Sequence, residues 1–336
     1  MSSSASQKNA TLTFQNVYIE STGTFVGPIE KEGPLGDYFE NYSDDLYYGE
    51  KTFEKAEREM SKIAIDSCLQ KVNRTYDDLD LVVAGDLLNQ LTASNFVAKD
   101  LNTPFIGVYG ACSTACLSML NAATYVEHTS FKRVLAYTSS HNATAERQYR
   151  YPLEYGIQKK DMTTYTATGC GSILLSNQVS NVRIAHATIG KVIDLNQKDA
   201  NDMGRAMVPC AYDTLHQHLN DLQRTVNDYD LIVTGDLSTY GKEILKELFK
   251  ADGINLDNYD DCGCMLFDIA NQEVFQGGSG CACSALVSYG YLYPLLQQKK
   301  LHRILILATG ALLSPTSTQQ KESIPCISHA ISMEVV

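Results

Sequence analysis

An internal duplication constrains the fold of this chain more than any other feature of its sequence. Three segments recur in the same order, the first of them after roughly 150 residues. A period this long excludes a solenoid of short repeats and indicates two homologous halves of one fold. The matched pairs are "DLDLVVAGDLL" (Asp78–Leu88) with "DYDLIVTGDLS" (Asp228–Ser238), "GACSTACLSML" from Gly110 with "GCACSALVSYG" from Gly280, and "FKRVLAYTSS" (Phe131–Ser140) with "LHRILILATG" (Leu301–Gly310).

Each half follows the same pattern of predicted elements. An amphipathic helix, over Phe53–Val72 or Ala211–Val226, precedes a β-branched, apolar strand that ends in Gly-Asp. A short helix, a Gly-Cys turn, a helix that is apolar nearly all round and a closing strand follow, and such a helix is expected to be buried. Strands that alternate with helices predict an α/β fold of mixed, largely parallel sheets covered by helices.

The duplication also predicts where one half ends. We expect an N-terminal half over residues 1–180 and a C-terminal half over 181–336, which together form one integrated unit. The segment between them, "NQVSN", contains neither Gly nor Pro and is a short turn rather than a flexible linker.

Composition excludes several classes of function. The chain has 336 residues and a formal charge of -12, so a nucleic-acid partner is not expected, because binding needs clustered Lys and Arg. Ten Cys in a chain this large, behind a polar N-terminus without an apolar signal region, indicate reduced thiols and an intracellular protein. The apolar stretch Ile304–Leu313 is shorter than the roughly 20 residues that span a bilayer, so no transmembrane segment is expected.

The two glycine-rich turns carry a resemblance. Gly110–Cys112 enters one buried helix, and Gly277–Gly280 lies at the equivalent place in the second half. Together with the duplication, they resemble the thiolase superfamily, which includes the ketoacyl-ACP synthase III condensing enzymes. The resemblance covers nearly the whole chain and implies a five-layer αβαβα sandwich with the two buried helices as its middle layer. It also implies a homodimer.

Longer strings resemble a sporulation family of endospore-forming bacteria within that superfamily. The resemblance implies binding of dipicolinic acid, alone or with calcium, for its uptake into the developing spore. It implies a soluble component of a membrane channel complex, docked on membrane subunits at the spore inner membrane. The strings are "KEGPLG" (Lys31–Gly36), "AGDLLNQ" (Ala84–Gln90), "GACST" (Gly110–Thr114), "TSSHNATAERQYRYP" (Thr138–Pro152), "GGSGCACSA" (Gly277–Ala285) and "ATGALLSP…QQKESIPCI" (Ala308–Ile327).

Cys112 matches the nucleophile of the condensing enzymes, which begins a buried helix. The enzymes place a His just after the strand that here reads "DLIVTGDLS", where this chain has Gly235 and Asp236. They place an Asn or His in the turn that here offers Gly278 and Ser279. Condensation needs donors that stabilise an oxyanion, which Gly cannot supply. We therefore expect a non-catalytic binding site around a vestigial Cys112.

The expected ligand site combines helix N-termini, hydroxyl groups and basic side chains. Helix N-termini bind anions, hydroxyls donate hydrogen bonds, and Arg is a bidentate partner of carboxylates. The loop after the strand that follows the Cys112 helix supplies several of these groups, Arg150 among them. The candidate residues are Cys112, Ser113, Asp86, Ser139, Ser140, His141, Arg147, Asp236, Gly278, Ser279 and Ser284.

Some of these candidates have a second interpretation. Asp86 and Asp236 follow Gly at equivalent strand ends, and their oxygens suit a calcium ion carried with the ligand or, alternatively, N-caps of the following helices. His141 and Arg147 fit either the site or a role in loop packing or a subunit interface. No other cofactor is expected.

Two further patterns favour structural roles. "CGC" (Cys262–Cys264) and "CAC" (Cys281–Cys283) lack usual zinc spacing, and Cys264 falls in a predicted strand, "CMLFDI". Buried free thiols are the better interpretation. The acidic run Asp257–Asp261 is predicted to be a solvated loop.

The sequence thus favours a non-enzymatic, dipicolinate-binding protein. An acyl-transfer enzyme that uses Cys112 is one alternative, which an acyl adduct would reveal. A structural scaffold with an empty site is the second, which direct titration would reveal.

Overall fold

The computed structural model describes residues 9–149 and 159–336, and each half of the chain folds as alternating strands and helices. The elements of the first half are β1 (Thr11–Thr13), β2 (Tyr18–Val26), α1 (Pro28–Lys31), β3 (Asn41–Tyr42), α2 (Phe53–Gln70), β4 (Leu81–Asp86), α3 (Thr92–Leu101), β5 (Phe105–Gly107), α4 (Thr114–His128), β6 (Arg133–Ser140), α5 (Asn142–Tyr149), β7 (Tyr165–Thr166) and β8 (Gly169–Ser176).

The second half repeats the main elements of the first. A π-helical turn (Val287–Leu292) joins its α9 and α10 into one continuous helix. Its elements are β9 (Val182–Thr188), α6 (Met203–Leu222), β10 (Leu231–Thr234), α7 (Ser238–Ala251), β11 (Tyr259–Asp261), α8 (Cys262–Leu266), β12 (Gly278–Ser279), α9 (Cys281–Leu286), α10 (Tyr293–Gln297), β13 (Arg303–Ala311), α11 (Pro315–Gln319) and β14 (Cys326–Val335).

The two halves have the same sheet topology. The first sheet runs β2-β8-β6-β4-β5 and the second runs β9-β14-β13-β10-β11. In both sheets the last three strands are parallel and the first two are antiparallel to their neighbours. A single pair, Tyr18 with Arg183, joins the sheets between β2 and β9. The duplication in the sequence is therefore a duplication of strand order.

Helices form three layers around the two sheets. Helices α2 and α3 pack on the outer face of the first sheet, and α6 and α7 pack on the outer face of the second. Helix α4 contacts strands of both sheets, and α9 lies beside it. Most of their residues are buried, as expected of helices that are apolar nearly all round. The result is a five-layer α/β sandwich.

Local sequence signals account for the helix boundaries. Helix α2 begins where the side chain of Thr52 accepts a hydrogen bond from the Lys55 amide, and it buries a stripe that includes Ala56, Met60 and Ala64. Helix α6 begins at Met203, eight residues before the predicted start at Ala211. Pro209, which the prediction placed before the helix, lies inside it. None of the described helices is long and apolar enough to cross a membrane.

Three local predictions were wrong. Residues 142–149 form helix α5 rather than a loop, and "CGCML" forms helix α8 rather than a strand, because the carboxylate of Asp261 accepts the Gly263 amide and starts a helix there. The acidic run ends in strand β11, where Asp261 is fully buried. Strand pairing with β10 and the helix cap formed by Asp261 thus determine the structure of this run, despite its acidic side chains.

Candidate functional site

A strained, hydroxyl-stabilised turn places Cys112 at the start of the middle layer. Ala111 has a left-handed backbone with φ of 50°, a conformation that is uncommon for a non-glycine residue. The hydroxyl of Ser113 donates to the Gly110 carbonyl at 2.6 Å, and that of Thr114 donates to the Ala111 carbonyl at 2.6 Å. These bonds hold Cys112 just before the first turn of α4.

Cys112 lines a narrow pocket to which both halves contribute. The enclosed cavity has a volume of about 30 Å³, far below the roughly 300–1,000 Å³ of small-molecule sites. Apart from Cys112 and the hydroxyls of Ser279, Thr166, Tyr109 and Tyr149, its wall is apolar. The apolar lining residues are Leu87, Ala111, Ala145, Met203, Ala311 and Leu313.

Behind this wall lies a buried carboxyl group. Asp236 accepts hydrogen bonds from the Thr309 hydroxyl at 2.6 Å, the Ser279 hydroxyl at 3.0 Å and the Gly280 amide at 3.3 Å. The Cys112 thiol interacts with the carboxyl of Asp236 and lies 3.9 Å from the Ser279 oxygen. Cys112, Asp236 and Ser279 therefore form one polar cluster, which we call the thiol cluster.

The electrostatics of the thiol cluster oppose a thiolate. Burial, followed by the negative charge of Asp236, raises the pKa of Cys112 well above its usual value of 9.0. Burial also raises the pKa of Asp236, against the lowering effect of its hydrogen bonds. At neutral pH the thiol keeps its proton. The group is thus a weak nucleophile, unlike the activated thiols of cysteine enzymes.

The two glycines in the expected positions of the enzymatic His and Asn leave different amounts of room for a side chain. A Cβ at Gly278 would lie 2.8 Å from the Phe267 ring and 3.0 Å from the Cys283 sulfur. A Cβ at Gly235 would lie 3.1 Å from Ala308 Cα, which is tight but needs only a small shift. Among the described residues, the pocket wall contains no histidine. The space for a side chain at residue 278 is therefore filled.

Asp86 belongs to a different environment from Asp236. Its two oxygens accept hydrogen bonds from the Leu88 amide at 2.9 Å, the Ser94 amide at 2.7 Å and the Ser94 hydroxyl at 2.6 Å. These are N-cap contacts to the first turn of α3. Asp86 does not line the pocket, although the next residue, Leu87, does.

A second buried carboxyl, Glu57, lies near Asp86. It accepts hydrogen bonds from the hydroxyls of Ser139 at 2.8 Å and Thr144 at 3.4 Å. Burial and the charge of Asp86 raise the pKa of Glu57. The Ser139 carbonyl accepts a contact from the Cys281 thiol at 2.9 Å. Ser139 thus connects this carboxyl to the second buried helix rather than to the pocket.

The other sequence candidates are dispersed around the cluster. Ser140 donates to the Ala167 carbonyl at 2.7 Å, and Nε2 of His141 lies 2.8 Å from the Leu46 carbonyl, with its ring against Phe53.

Two further candidates lie apart from the pocket wall. Arg147 is on the surface in an ion pair with Glu54. The Ser284 hydroxyl is buried and has no hydrogen-bond partner among the described residues. Arg150 lies outside the described residues.

Most of the residues that line the pocket were not predicted from the sequence. Tyr109 and Tyr149, whose hydroxyls lie 3.2 Å apart, come from the turn before Cys112 and from α5. Ala145 and Tyr149 are four residues apart on a helix, so a helical reading of this segment would have placed them on one face. Met203 and Leu313 come from the second half, and no pattern in the sequence connects them to Cys112.

The carboxylates do not form a calcium site by themselves. Calcium takes six to eight oxygen ligands, whereas Asp86 and Asp236 each accept three hydrogen bonds from their own surroundings. No group of three or more His, Cys, Asp or Glu is arranged to hold a metal ion in the parts of the chain that the structure describes.

Comparison with known sequences identifies one close family. A sequence model described as "Stage V sporulation protein AD (SpoVAD)" matches residues 8–334. The stage V sporulation protein AD of Bacillus subtilis (strain 168) is 50% identical over 319 residues, which cover 95% of this chain and 94% of that protein. The predicted resemblance is confirmed.

Solved structures support the fold. The 3-oxoacyl-[acyl-carrier-protein] synthase III of Aquifex aeolicus VF5 aligns with a TM-score of 0.57 at 11% identity, covering 95% of this chain and 99% of that chain. A variant of OleA from Xanthomonas campestris aligns with a TM-score of 0.61 at 14% identity, covering 97% and 99%. The predicted thiolase-like five-layer α/β fold is confirmed. At these identities the likeness concerns the fold alone.

Proposed function

The chain belongs to the stage V sporulation protein AD family, and from this premise we propose that it binds dipicolinic acid without catalysing a reaction. It acts in the uptake of this ligand into the developing spore, as the soluble component of a membrane channel complex. The observation that carries the non-catalytic part is the environment of Cys112, where the thiol faces a carboxyl and a hydroxyl instead of an imidazole.

The physical argument is about charge. A condensing reaction needs a thiolate and donors that stabilise an enolate oxyanion. A buried thiol beside Asp236 keeps its proton, and Phe267 and Cys283 fill the space that a side chain at residue 278 would need. The same arrangement suits a binding site, in which a neutral thiol and a hydroxyl meet the polar groups of a ligand.

The chemistry of the pocket wall suits a small, flat, largely apolar ring with polar ends, and the wall would move apart to admit it, because a cavity of about 30 Å³ does not hold such a ring. The ring of dipicolinate would lie against Leu87, Ala145 and Leu313, and one carboxylate would approach Cys112 and Ser279. Burial raises the pKa of Asp236, and a ligand carboxylate placed beside it would raise that pKa further. We therefore expect binding to be accompanied by uptake of a proton and to weaken as the pH rises, because two neighbouring negative charges repel each other.

The remaining candidate residues do not contact the ligand in this proposal but position the segments around the pocket. Ser139 and Ser140 fix the end of β6, and Asp86 fixes the loop that carries Leu87. Any calcium accompanies the ligand as cargo. The membrane subunits of the complex are the proposed protein partners, the spore inner membrane the proposed location, and a homodimer the proposed assembly.

The decisive experiment is calorimetric titration of the full chain with dipicolinate, with and without calcium. Ser279→Ala is expected to weaken binding by about 1–2 kcal/mol, because it removes a hydroxyl of the thiol cluster. The matched control is Ser284→Ala, another buried serine that does not line the pocket. Absence of saturable binding by the wild-type chain would favour the scaffold alternative.

The retained cysteine and the likeness to condensing enzymes favour one alternative function, acyl transfer through Cys112. Incubation with acyl-CoA followed by intact-mass measurement tests it. We expect no adduct on Cys112. An adduct that forms and turns over would establish the enzyme and contradict the proposal.

A further inference from the structure

Exposed tyrosines are concentrated in one segment of the surface. Tyr38, Tyr42, Tyr47 and Tyr48 are 38% to 48% exposed, and they lie within a stretch of fifteen residues, 36–50, which we call the tyrosine strap. Tyrosine supplies large contact area with little loss of side-chain entropy and is enriched at protein interfaces. An exposed concentration of this kind marks an interaction surface.

The charge of the tyrosine strap has one sign. It contains Asp37, Glu40, Asp44, Asp45 and Glu50, and no Lys, Arg or His. The strap also receives a cation from its own chain, since the Lys31 ammonium lies 5.0 Å from the centre of the Tyr42 ring and 3.9 Å from an Asp37 oxygen. Faces of aromatic rings next to carboxylates attract ammonium and guanidinium groups.

A groove beside the strap extends this chemistry. It has a volume of about 580 Å³ and is lined by Glu20, Tyr38, Glu40, Lys71 and Tyr293, among others. Tyr38 is held at its rim by an edge-to-face contact with Tyr291, with ring centres 4.7 Å apart. The groove is thus continuous with the tyrosine strap.

One wall of the groove is an open strand edge. On this side β2 pairs with β9 at Tyr18 and with β3 at Phe25, and no described strand pairs with it between those residues. The Thr22 carbonyl instead accepts the Lys71 ammonium at 3.1 Å, and the Thr24 carbonyl accepts the Asn41 amide at 3.1 Å. Lys71 also pairs with Glu40 at 3.1 Å. Lys71 therefore shows that the groove binds an ammonium group through a backbone carbonyl and a carboxylate.

From these observations we propose that the tyrosine strap and its groove are the docking surface for an extended, Lys- and Arg-rich segment of a protein partner. Cationic side chains of the segment would meet the exposed carboxylates Glu40 and Asp44 and the tyrosine rings, and its backbone would run along the open edge of β2. The inference rests on the proposed function only for the existence of a protein partner, and it does not depend on a ligand in the pocket.

The test uses the full chain and a fluorescein-labelled peptide of alternating Arg and Ser, measured by fluorescence anisotropy at physiological salt. The double variant Tyr38→Ser, Glu40→Gln is expected to weaken binding about tenfold. The matched control, Tyr240→Ser with Glu247→Gln, changes an exposed tyrosine and an exposed carboxylate on α7 and is expected to bind like the wild type.

Three outcomes would overturn the inference. Equal loss in both double variants would show non-specific attraction to a chain of charge -12. Photo-crosslinks from a benzophenone-labelled version of the peptide that map away from residues 36–50 and the groove would place the surface elsewhere. Binding of phosphatidylglycerol vesicles that the Tyr38, Glu40 double variant abolishes would make it a membrane contact.

A dipicolinate titration of the same variants separates the two proposals. Unchanged dipicolinate binding beside lost peptide binding supports the docking surface independently of the pocket. Equal loss of dipicolinate binding would mean that the substitutions disturb the fold or the pocket, and would contradict the assignment of a separate surface.

Discussion

Asp86 and Asp236 occupy equivalent positions at strand ends of the two halves, yet they accept hydrogen bonds from different parts of the chain. Asp86 accepts hydrogen bonds from its own downstream segment, at Leu88 and Ser94. Asp236 accepts them from Thr309, Ser279 and Gly280, which lie more than forty residues away. The duplication preserved the position of the residue and changed its partners.

Asp261 explains why Asp236 is free for this role. It accepts hydrogen bonds from the Leu237 amide at 2.9 Å and the Ser238 amide at 3.0 Å, at the start of α7. It therefore caps the second half as Asp86 caps the first. The equivalent place in the first half, at the end of β5, is Gly107. The second half thus has a carboxyl group that the first lacks at this place, and Asp236 faces Cys112 instead of capping α7.

The largest expected difference between the halves concerns the glycines before these aspartates. A Cβ at Gly85 would lie 2.0 Å from the Val108 carbonyl oxygen, whereas one at Gly235 meets its nearest atom at 3.1 Å. Gly85→Ala is expected to lower the free energy of unfolding by about 3 kcal/mol, and Gly235→Ala by about 1 kcal/mol. Urea denaturation measures both, and equal losses would contradict the packing difference.

The next largest expected difference in stability concerns Asp86 and Asp236 themselves. Both oxygens of Asp86 face backbone amides, so the NH₂ of Asp86→Asn must oppose an N–H donor, and we expect a loss of about 2–3 kcal/mol in unfolding free energy.

Asp236→Asn is the matched variant in the second half. It can turn its NH₂ towards the Thr309 hydroxyl, which can accept, so the expected loss is below about 1 kcal/mol. If the Asn variant at residue 236 were the less stable of the two, the contrast would be wrong.

A smaller effect should follow pH, and one contribution to it comes from Glu30 in the first half. Glu30, in the segment after β2, is buried, and burial raises its pKa to about 8. Residues 189–193, after the equivalent strand β9, contain no Asp or Glu. Because the folded state holds a proton that the unfolded state releases above the usual pKa of 4.5, stability falls as the pH rises towards 8.

We expect this group to cost roughly 1–2 kcal/mol between about pH 6.5 and 8. The buried histidines with lowered pKa values, such as His141 at about 4, change charge below this window. Burial also raises the pKa of Glu57 to about 8 and that of Asp261 to about 7, so the comparison with a Glu30 variant isolates the share of Glu30. Glu30→Gln should reduce the decline in melting temperature across it. An unchanged decline would assign the pH dependence to another group.

The smallest expected effect concerns the reactivity of Cys112. Its alkylation by iodoacetamide should be slow at neutral pH and rise with pH, because its pKa lies well above 9.0. Asp236→Asn removes a neighbouring negative charge and should speed the reaction by about threefold. The half-buried Cys264 provides the internal comparison, and a rate for Cys112 that already plateaus near neutral pH would indicate an activated thiol.

The sequence predicted the fold well because the duplication implies two halves of like topology and the apolar faces of two helices imply their burial. The site was harder, because its residues come from segments that only the fold brings together. Thr309 and Ser279 reach Asp236 from β13 and β12, and no spacing in the sequence encodes these contacts.

The directions of individual side chains could not be predicted from the sequence either. Arg147 was a natural candidate for a carboxylate ligand, but on α5 it pairs with Glu54. Gly278 was read as a missing catalytic residue, and the structure adds that Phe267 occupies the space beside it. Such facts depend on packing between layers, which pattern alone does not determine.

The most direct test of a non-catalytic site at the thiol cluster is protection of Cys112 by dipicolinate, followed by peptide mass spectrometry during alkylation. Saturating dipicolinate should slow alkylation of Cys112 and leave Cys264 unaffected, with no mass added to the protein. Unprotected Cys112, or a covalent adduct that turns over, would contradict the account.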